Sequence, residues 1–295
     1  MMRVLVTGAS GMIGCQVIKA LHWQGYDVVA TGLPVKRSVN KTTRSNEARK
    51  IRGVAELPKI RNIDLLDAKS TRPLMRGVQA VVHLANAHNW AQQSLSLGLI
   101  ENMKMHINVF EEAALAGVGM MIFASSVHVF NAMKPDATLA SDYQTPYLPF
   151  DGATPACPVN PYGMSKQFCE TVLSELHTRT GMTTVALRLP LVADRAKLRA
   201  IQSGKIKPYA GAVNTGFAYL SINDTVSLVS ALLASPLRGH RVYFPASAHN
   251  MLARPAAEVI ASYYQSVPLR RRATQIDSLV DISAITRETG WAPTQ

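Results

Sequence analysis

Short apolar, β-rich runs alternate with longer segments of helical period along most of the chain. The runs predict strands over Arg3–Thr7, Asp27–Thr31, Ile60–Ile63, Ala80–His83, Met120–Ala124 and Thr184–Arg188. Helical spacing predicts helices over Gly11–Gln24, Ser70–Arg76, Ser94–Ala116 and Pro161–Thr180. Unbroken apolar strands such as VLV and AVVHL suit a sheet buried on both faces. Strand–helix alternation implies right-handed crossovers and a parallel sheet. The rhythm breaks after Arg188, where Val192–Tyr209 reads as basic and irregular. A further helix is expected over Asn223–Leu233 and a short strand near Arg241–Phe244.

The predicted fold class is α/β: a doubly wound parallel-sheet domain with a smaller C-terminal lobe. The division places residues 1–188 and 216–235 in the sheet domain, and 189–215 and 236–295 in the lobe. Such a lobe would sit over the carboxyl ends of the strands, where open α/β sheets bind ligands.

The chain has 295 residues and a formal net charge of +12. Much of the excess lies in Pro34–Gly53, where Lys36, Arg37, Lys41, Arg44, Arg49, Lys50 and Arg52 accompany one acid, Glu47. A solvated basic loop and a surface attracting an anionic ligand such as a nucleotide are both open. The block has no aromatic residues to stack on bases, so no nucleic-acid partner is expected. No apolar run approaches the roughly 18 residues that cross a bilayer. The N-terminus lacks the zones of a signal peptide, so the expectation is a cytoplasmic protein without membrane contact. Cys15, Cys157 and Cys169 are odd in number and widely spaced, which predicts no disulfide framework. Neither they nor the scattered histidines have metal-ligand spacing, so no metal is expected.

Candidate chemistry begins at TGASGMIG, Thr7–Gly14, between a predicted strand and a predicted helix. Gly8, Gly11 and Gly14 allow a tight turn, close approach of backbone N–H groups to a pyrophosphate, and tight strand–helix packing. Ser10, Met12 and Ile13 lie in the same loop and helix start. Far downstream, PYGMSK places Tyr162 and Lys166 at i, i+4 on one helix face.

Together these stretches resemble the extended branch of the short-chain dehydrogenase/reductase family, of NAD-dependent epimerase/dehydratase type. The resemblance runs from Arg3 to Arg188. It continues more loosely through NDTV (Asn223–Val226) and TRETGWAP (Thr286–Pro293). It implies that Asp64 in RNIDLLD contacts the adenine, with Leu65 beside it. Leu84, Ala85 and Asn86, ending AVVHLAN, would pass beneath the cofactor. Asn108 in HINVFEEA would sit near the catalytic lysine. FASSVHVF implies Ser126 as the catalytic hydroxyl with Ser125 its neighbour, Tyr162 and Lys166 as catalytic and cofactor-contacting residues, and Pro190 as a further cofactor contact.

The chemistry accounts for these residue types. Oxidising a carbinol carbon requires removal of its hydroxyl proton, and a tyrosine of pKa about 10 stays protonated near neutrality and so cannot act as the base unaided. An adjacent ammonium and a positive nicotinamide favour the phenolate. The cofactor expectation is NADP or NAD. Gly32 stands where NAD-preferring relatives carry an acid, and Lys36 and Arg37 follow, which tips the expectation slightly to NADP.

Val127 and His128 replace the Asp–Glu pair of sugar-nucleotide dehydratases, which argues against water elimination. SSVHVF is similar to the SSNHVIG stretch of uronate dehydrogenases, implying that Ser126, Val127 and His128 line a sugar. His88 and Arg195 are further substrate candidates, with Lys197 and Arg199 as alternative cations. The segment Asn131–Asn160 is expected to border the substrate. Three readings remain: a dehydrogenase acting on a sugar or sugar derivative, a sugar-nucleotide epimerase that retains its cofactor, and a non-catalytic dinucleotide-binding regulator. Family resemblance also implies a possible homodimer through Ser94–Ala116 and Pro161–Thr180.

Overall fold

Seven of the strands pair side by side, all parallel, and their order reverses once. A computed structural model describes residues 1–33, 57–89, 91–130, 145–209 and 211–294. The strands are β1 (Arg3–Thr7), β2 (Asp27–Thr31), β3 (Ile60–Arg61), β4 (Ala80–His83), β5 (Met120–Ser126), β6 (Thr183–Leu189), β7 (Leu191–Ala193), β8 (Tyr219–Ser221) and β9 (His240–Tyr243). The main sheet has the order β3-β2-β1-β4-β5-β6-β9, and β7 pairs with β8 apart from it. The reversal falls between β1 and β4, and the crevice at such a point is where doubly wound sheets take ligands.

The helices are α1 (Met12–Trp23), α2 (Ala68–Thr71), α3 (Asn102–Leu115), α4 (Pro161–Thr180), α5 (Arg195–Gln202), α6 (Ile222–Ala234), α7 (Ala256–Tyr263) and α8 (Ser283–Thr289). Val17, Ile18 and Leu21 of α1 share a buried cluster on one sheet face with Leu228, Val229 and Leu232 of α6. Val109, Phe110 and Ala113 of α3 share another cluster with Cys169, Leu173 and Leu176 of α4. A third cluster joins Phe130, Phe150 and Phe244 to Leu198 and Ile201 of α5 and Val259 and Ile260 of α7, forming the core of the lobe. Full burial of such a side chain contributes roughly 1.5–3 kcal/mol.

Three expectations are corrected. Val192–Tyr209 contains an ordered helix, α5, because Asp194 caps it by accepting from Lys197 N and because Leu198 and Ile201 bury one face. β9, assigned above to the lobe, pairs in parallel with β6 at the edge of the main sheet. The helix expected over Ser70–Arg76 starts earlier, where Asp67 caps α2, and tightens into a 3₁₀ turn over Arg72–Met75. Pro73 lies in that turn and has no N–H to continue an α-helix.

The C-terminal stretch docks on α6. Thr294 donates both its N–H (2.8 Å) and its hydroxyl (2.7 Å) to Asp224 Oδ1, and Trp291 Nε1 donates to Ser227 Oγ at 3.0 Å. Among the described residues, no helix is long and apolar enough to cross a membrane. No group of His, Cys, Asp or Glu among them could hold a metal ion.

Candidate active site

The loop after β1 turns back sharply and leaves no room for side chains. Gly8 has φ +67°, and a Cβ there would lie 2.7 Å from Ala85 N. A Cβ on Gly14 would lie 2.2 Å from Gly8 O, so α1 packs directly on the loop. The N-cap of α1 is Gly11, which has no side chain to bond the first N–H groups of the helix. Such amides, at the positive end of the helix dipole, suit a phosphate.

A cleft of about 340 Å³ opens there, lined by Gly8, Ser10 and Gly11 and by Leu84, Ala85 and Asn86 after β4. Asp64 and Leu65 line it from beyond β3. Asp64 accepts from Leu66 N at 2.9 Å, while Asp67 is the residue that caps α2. The glycine cradle, the helix start and the exposed Asp64 therefore fit a dinucleotide. Met12, Ile13 and Gly14 form the first turn of α1 without lining the cleft. Lys36 and Arg37 lie outside the described residues.

A second cavity, of about 480 Å³, sits at the carboxyl ends of β5 and β6. Ser126, Val127, His128 and Tyr162 form one wall. Pro190 and Leu191 also line it, and Lys197 and Lys207 add positive charge. Ser126 and Tyr162 line the cavity together, and burial pushes the Tyr162 phenol up to about 12. Lys166 is 2% exposed. Its Nζ lies 4.6 Å from the Phe123 ring centroid and 5.3 Å from that of Tyr162. Burial pulls it down to about 7.

Asn160 joins the two sides of this wall. Its Oδ1 caps α4 by accepting from Gly163 N at 2.8 Å, and its Nδ2 lies 3.2 Å from His128 Nδ1. Burial holds His128 near 4, so the ring is neutral and edge-on to Tyr162. Below the wall, Arg188 of β6 forms a buried ion pair with Glu170 of α4 at 2.9 Å. Ser125 Oγ donates to Glu170 Oε1 at 2.6 Å, and Arg188 Nη1 donates to Thr154 O at 2.6 Å.

Several expected residues are placed differently. The α3 side chain bonded to Lys166 is His106, with Nε2 at 3.3 Å; Asn108 instead donates Nδ2 to Leu65 O at 3.0 Å. Two residues apart on a helix, the side chains diverge by about 200°, so only one can face α4. Ser125 is committed to Glu170. Pro190 lines the second cavity and not the cleft. His88 does not line that cavity; its Nε2 lies 2.7 Å from Glu101 Oε2. Arg195 is exposed at the start of α5, and Lys197, one half-turn on, lines the cavity in its place.

Asn102, His106, Asn160, Lys207 and Tyr209 are missing from the sequence reading. Asn160 carried a signal, a polar cap directly before a proline at the first helical position. Asn102 accepts from Ala87 N and His88 N at 3.0 Å and so fixes the loop beyond β4. Nothing local marks that role. Part of the segment expected to border the substrate, residues 131–144, lies outside the described residues. Leu148 and Phe150, further along it, pair with Leu269 and Val280 of the lobe.

The model of the NAD-dependent epimerase/dehydratase family matches residues 4–243. The chain belongs to this family, and it is an enzyme of the extended short-chain dehydrogenase/reductase type. It is 25% identical over 245 residues to uronate dehydrogenase of Pseudomonas syringae pv. tomato, covering 83% of this chain and 74% of that one. It is 29% identical over 202 residues to UDP-glucose 4-epimerase of Mus musculus, covering 64% of this chain and 53% of that one. The fold is also that of UDP-glucose-4-epimerase from Stenotrophomonas maltophila with bound NAD. There the TM-score is 0.66 at 22% identity, over 100% of this chain and 94% of that one. A nicotinamide cofactor and a sugar-type oxidoreductase or epimerase chemistry are consistent across these relatives.

Proposed function

We propose that this enzyme oxidises a hydroxyl carbon of a sugar or sugar derivative, with Tyr162 as general base. The observation that carries the reading is that Ser126 and Tyr162 line one cavity, with Lys166 buried against the phenol ring, its Nζ 5.3 Å from the ring centroid. A nicotinamide held in the cleft would supply the acceptor for the hydride that leaves the carbinol carbon. Ser126 orients the substrate oxygen, and the Tyr162 phenolate takes the hydroxyl proton. The C–H bond electrons leave with the hydride as the C=O bond forms. A phenol held near 12 is too weakly acidic to supply that phenolate unaided at neutral pH, so the charge on Lys166 is part of the base. Lys197 and Lys207 favour an anionic substrate end, in keeping with a uronate or a sugar nucleotide. Val127 and His128 offer no carboxylates for water elimination.

The lack of an acid at Gly32 supports NADP over NAD. Phe168, exposed on α4, and Ile100, exposed just before α3, support a homodimer through these segments.

The test is incubation with NAD⁺ or NADP⁺ and a panel of uronic acids, aldoses and sugar nucleotides, following reduced nicotinamide by absorbance. Net reduction that Tyr162→Phe abolishes is the expected result. No net reduction, with nucleotide retained through purification and a changed sugar product by NMR, would replace the dehydrogenase with an epimerase. Full turnover in Tyr162→Phe would remove Tyr162 as the base.

A further inference from the structure

A continuous file of buried polar groups leads away from Lys166 beneath the sheet edge. Lys166 Nζ lies 3.3 Å from His106 Nε2, and His106 Nδ1 lies 2.8 Å from His83 Nε2. His83 Nδ1 lies 2.6 Å from Thr7 Oγ1, which also accepts from Ala85 N at 3.2 Å. Thr7, His83 and His106 are fully buried. The rings pack against Phe110 and Phe123, so water has no room to complete their bonding. The file spans β1, β4 and α3 and ends at Ala85, which lines the cofactor cleft.

We propose that His106 is the positioning residue of Lys166: fixed in the Nδ1–H tautomer by His83 and Thr7, it accepts the ammonium's hydrogen bond and keeps that lysine charged beside Tyr162. The reasoning is a count of donors. An ammonium can only donate, and a neutral imidazole has one donor and one acceptor nitrogen. If Lys166 is charged, His106 Nε2 must accept, and Nδ1 then carries the proton. His83 Nε2 accepts from it, and His83 Nδ1–H donates to Thr7. The two lone pairs of Thr7 Oγ1 take His83 and the Ala85 N–H. Every nitrogen in the file is then satisfied.

Loss of the lysine proton frees a lone pair and so permits the opposite polarity, with Thr7 O–H donating to His83 and His106 Nε2–H donating to a neutral amine. The file thus has two arrangements, and a charged Lys166 admits only the first. Burial keeps both rings neutral, holding His83 near 3 and His106 well below the usual imidazole range.

The other groups around Lys166 cannot substitute for His106. Tyr162 and Cys169 come from α4, and burial pushes the Cys169 thiol up to about 12, so it is uncharged near neutrality. Ser125 of β5 donates to Glu170, whose carboxylate is paired with Arg188 of β6. Phe123 of β5 offers a ring face only. Among the described residues, the hydrogen bond that Lys166 Nζ makes is the one to His106.

The functional weight of this device rests on the reading of Tyr162 as base, but the hydrogen-bond direction does not. The test therefore uses isotope-labelled, substrate-free protein. Long-range ¹H–¹⁵N spectra are expected to show His106 and His83 as Nδ1–H tautomers while Lys166 is an ammonium, and any change to Nε2–H should occur in both together and only as Lys166 loses its proton. The Lys166 signal is assigned by its loss in Lys166→Met. His106→Leu should lower the Lys166 midpoint by about one pH unit, a tenfold loss of proton affinity. His106→Gln, which restores an acceptor oxygen, should recover most of it. An Nε2–H tautomer at His106 beside a charged Lys166 would overturn the proposal, as would an unchanged midpoint in a folded His106→Leu. Should that variant not fold, the wild-type tautomers decide alone. Coupled tautomers alongside an active Tyr162→Phe enzyme would sink the base assignment and leave the file standing.

Discussion

The Nδ2 of Asn160 lies 3.2 Å from His128 Nδ1 while the Oδ1 of the same amide caps α4. One side chain thus starts the helix that carries Tyr162 and holds the ring that faces it. Asn160→Ala should cost about 1–2 kcal/mol in urea unfolding, the sum of a lost cap and a lost hydrogen bond. Asn160→Asp keeps the cap acceptor and sets a carboxylate against the imidazole. It should retain most of the stability and raise the His128 titration midpoint, read by NMR. An unmoved midpoint would mean that Asn160 does not hold the ring.

Glu170 and Arg188 form the floor of the site, both under one-tenth exposed. A buried pair contributes little net stability when intact, but removing one partner strands the other charge. Glu170→Ala and Arg188→Ala should each destabilise by about 3–5 kcal/mol, measured by denaturant midpoint. The double variant to Leu and Met should recover part of that loss, since it leaves no orphan charge. Equal losses in the single and double variants would show that packing, not charge, dominates.

The contrast between these supports and the cofactor loop marks what could be read from sequence. The glycine loop and the parallel strands are local patterns carried by spacing, while the Tyr162–Lys166 pair is a local motif whose role comes from the family resemblance. The signals for α5 were also local, an Asp194 cap and apolar residues at Leu198 and Ile201, but its many cations obscured them. His106 is different in kind. Its partner in sequence terms is Phe110, one turn along the same helix, and only the packing of α3 on α4 turns it toward Lys166. Asn108 fits the family pattern, yet its position on the helix directs it to Leu65. The Ser125–Glu170–Arg188 floor joins three elements through tertiary contacts that no window of sequence contains.

Buried neutral histidines set the acid limit of stability. Burial depresses His83 to about 3 and His128 to about 4. An unfolded histidine titrates near 6.5, so the unfolded chain binds more protons below that value. The stabilisation is fully present above about pH 6.5 and is lost as pH falls through the native values. Each ring contributes a slope of up to about 1.4 kcal/mol per pH unit within its window. Urea midpoints should fall steadily between about pH 6.5 and pH 4, and His128→Asn should flatten that fall. Midpoints constant over that range would contradict neutral burial of these rings.

Phe168 is 53% exposed on the outer face of α4, and Ile100 is 57% exposed just before α3. Exposed apolar groups on α4 and just ahead of α3 would lose their water contact in a two-fold contact made through these segments. Sedimentation at micromolar concentration should give a dimer, and Phe168→Glu should shift it toward monomer by placing unpaired charges at the contact. A monomeric wild-type chain would end this reading.

Cofactor choice turns on the end of β2. Gly32 gives no carboxylate for a ribose 2′-hydroxyl, and a Cβ there would lie 2.7 Å from Ser10 Oγ. That hydroxyl donates to Leu33 O at 2.7 Å and so occupies the corner an acidic side chain would need. An extra 2′-phosphate then meets no fixed negative charge at this position, while the chain's basic excess favours it. NADP⁺ should bind tighter than NAD⁺ by about two- to tenfold, or ~0.4–1.4 kcal/mol. The margin should shrink with added salt, because salt screens the attraction between charges. Replacing Lys36 and Arg37 together by Ala should weaken NADP⁺ and leave NAD⁺ unchanged in calorimetric titration. Tighter binding of NAD⁺ by the wild-type protein would reverse the assignment and assign the basic segment to another partner.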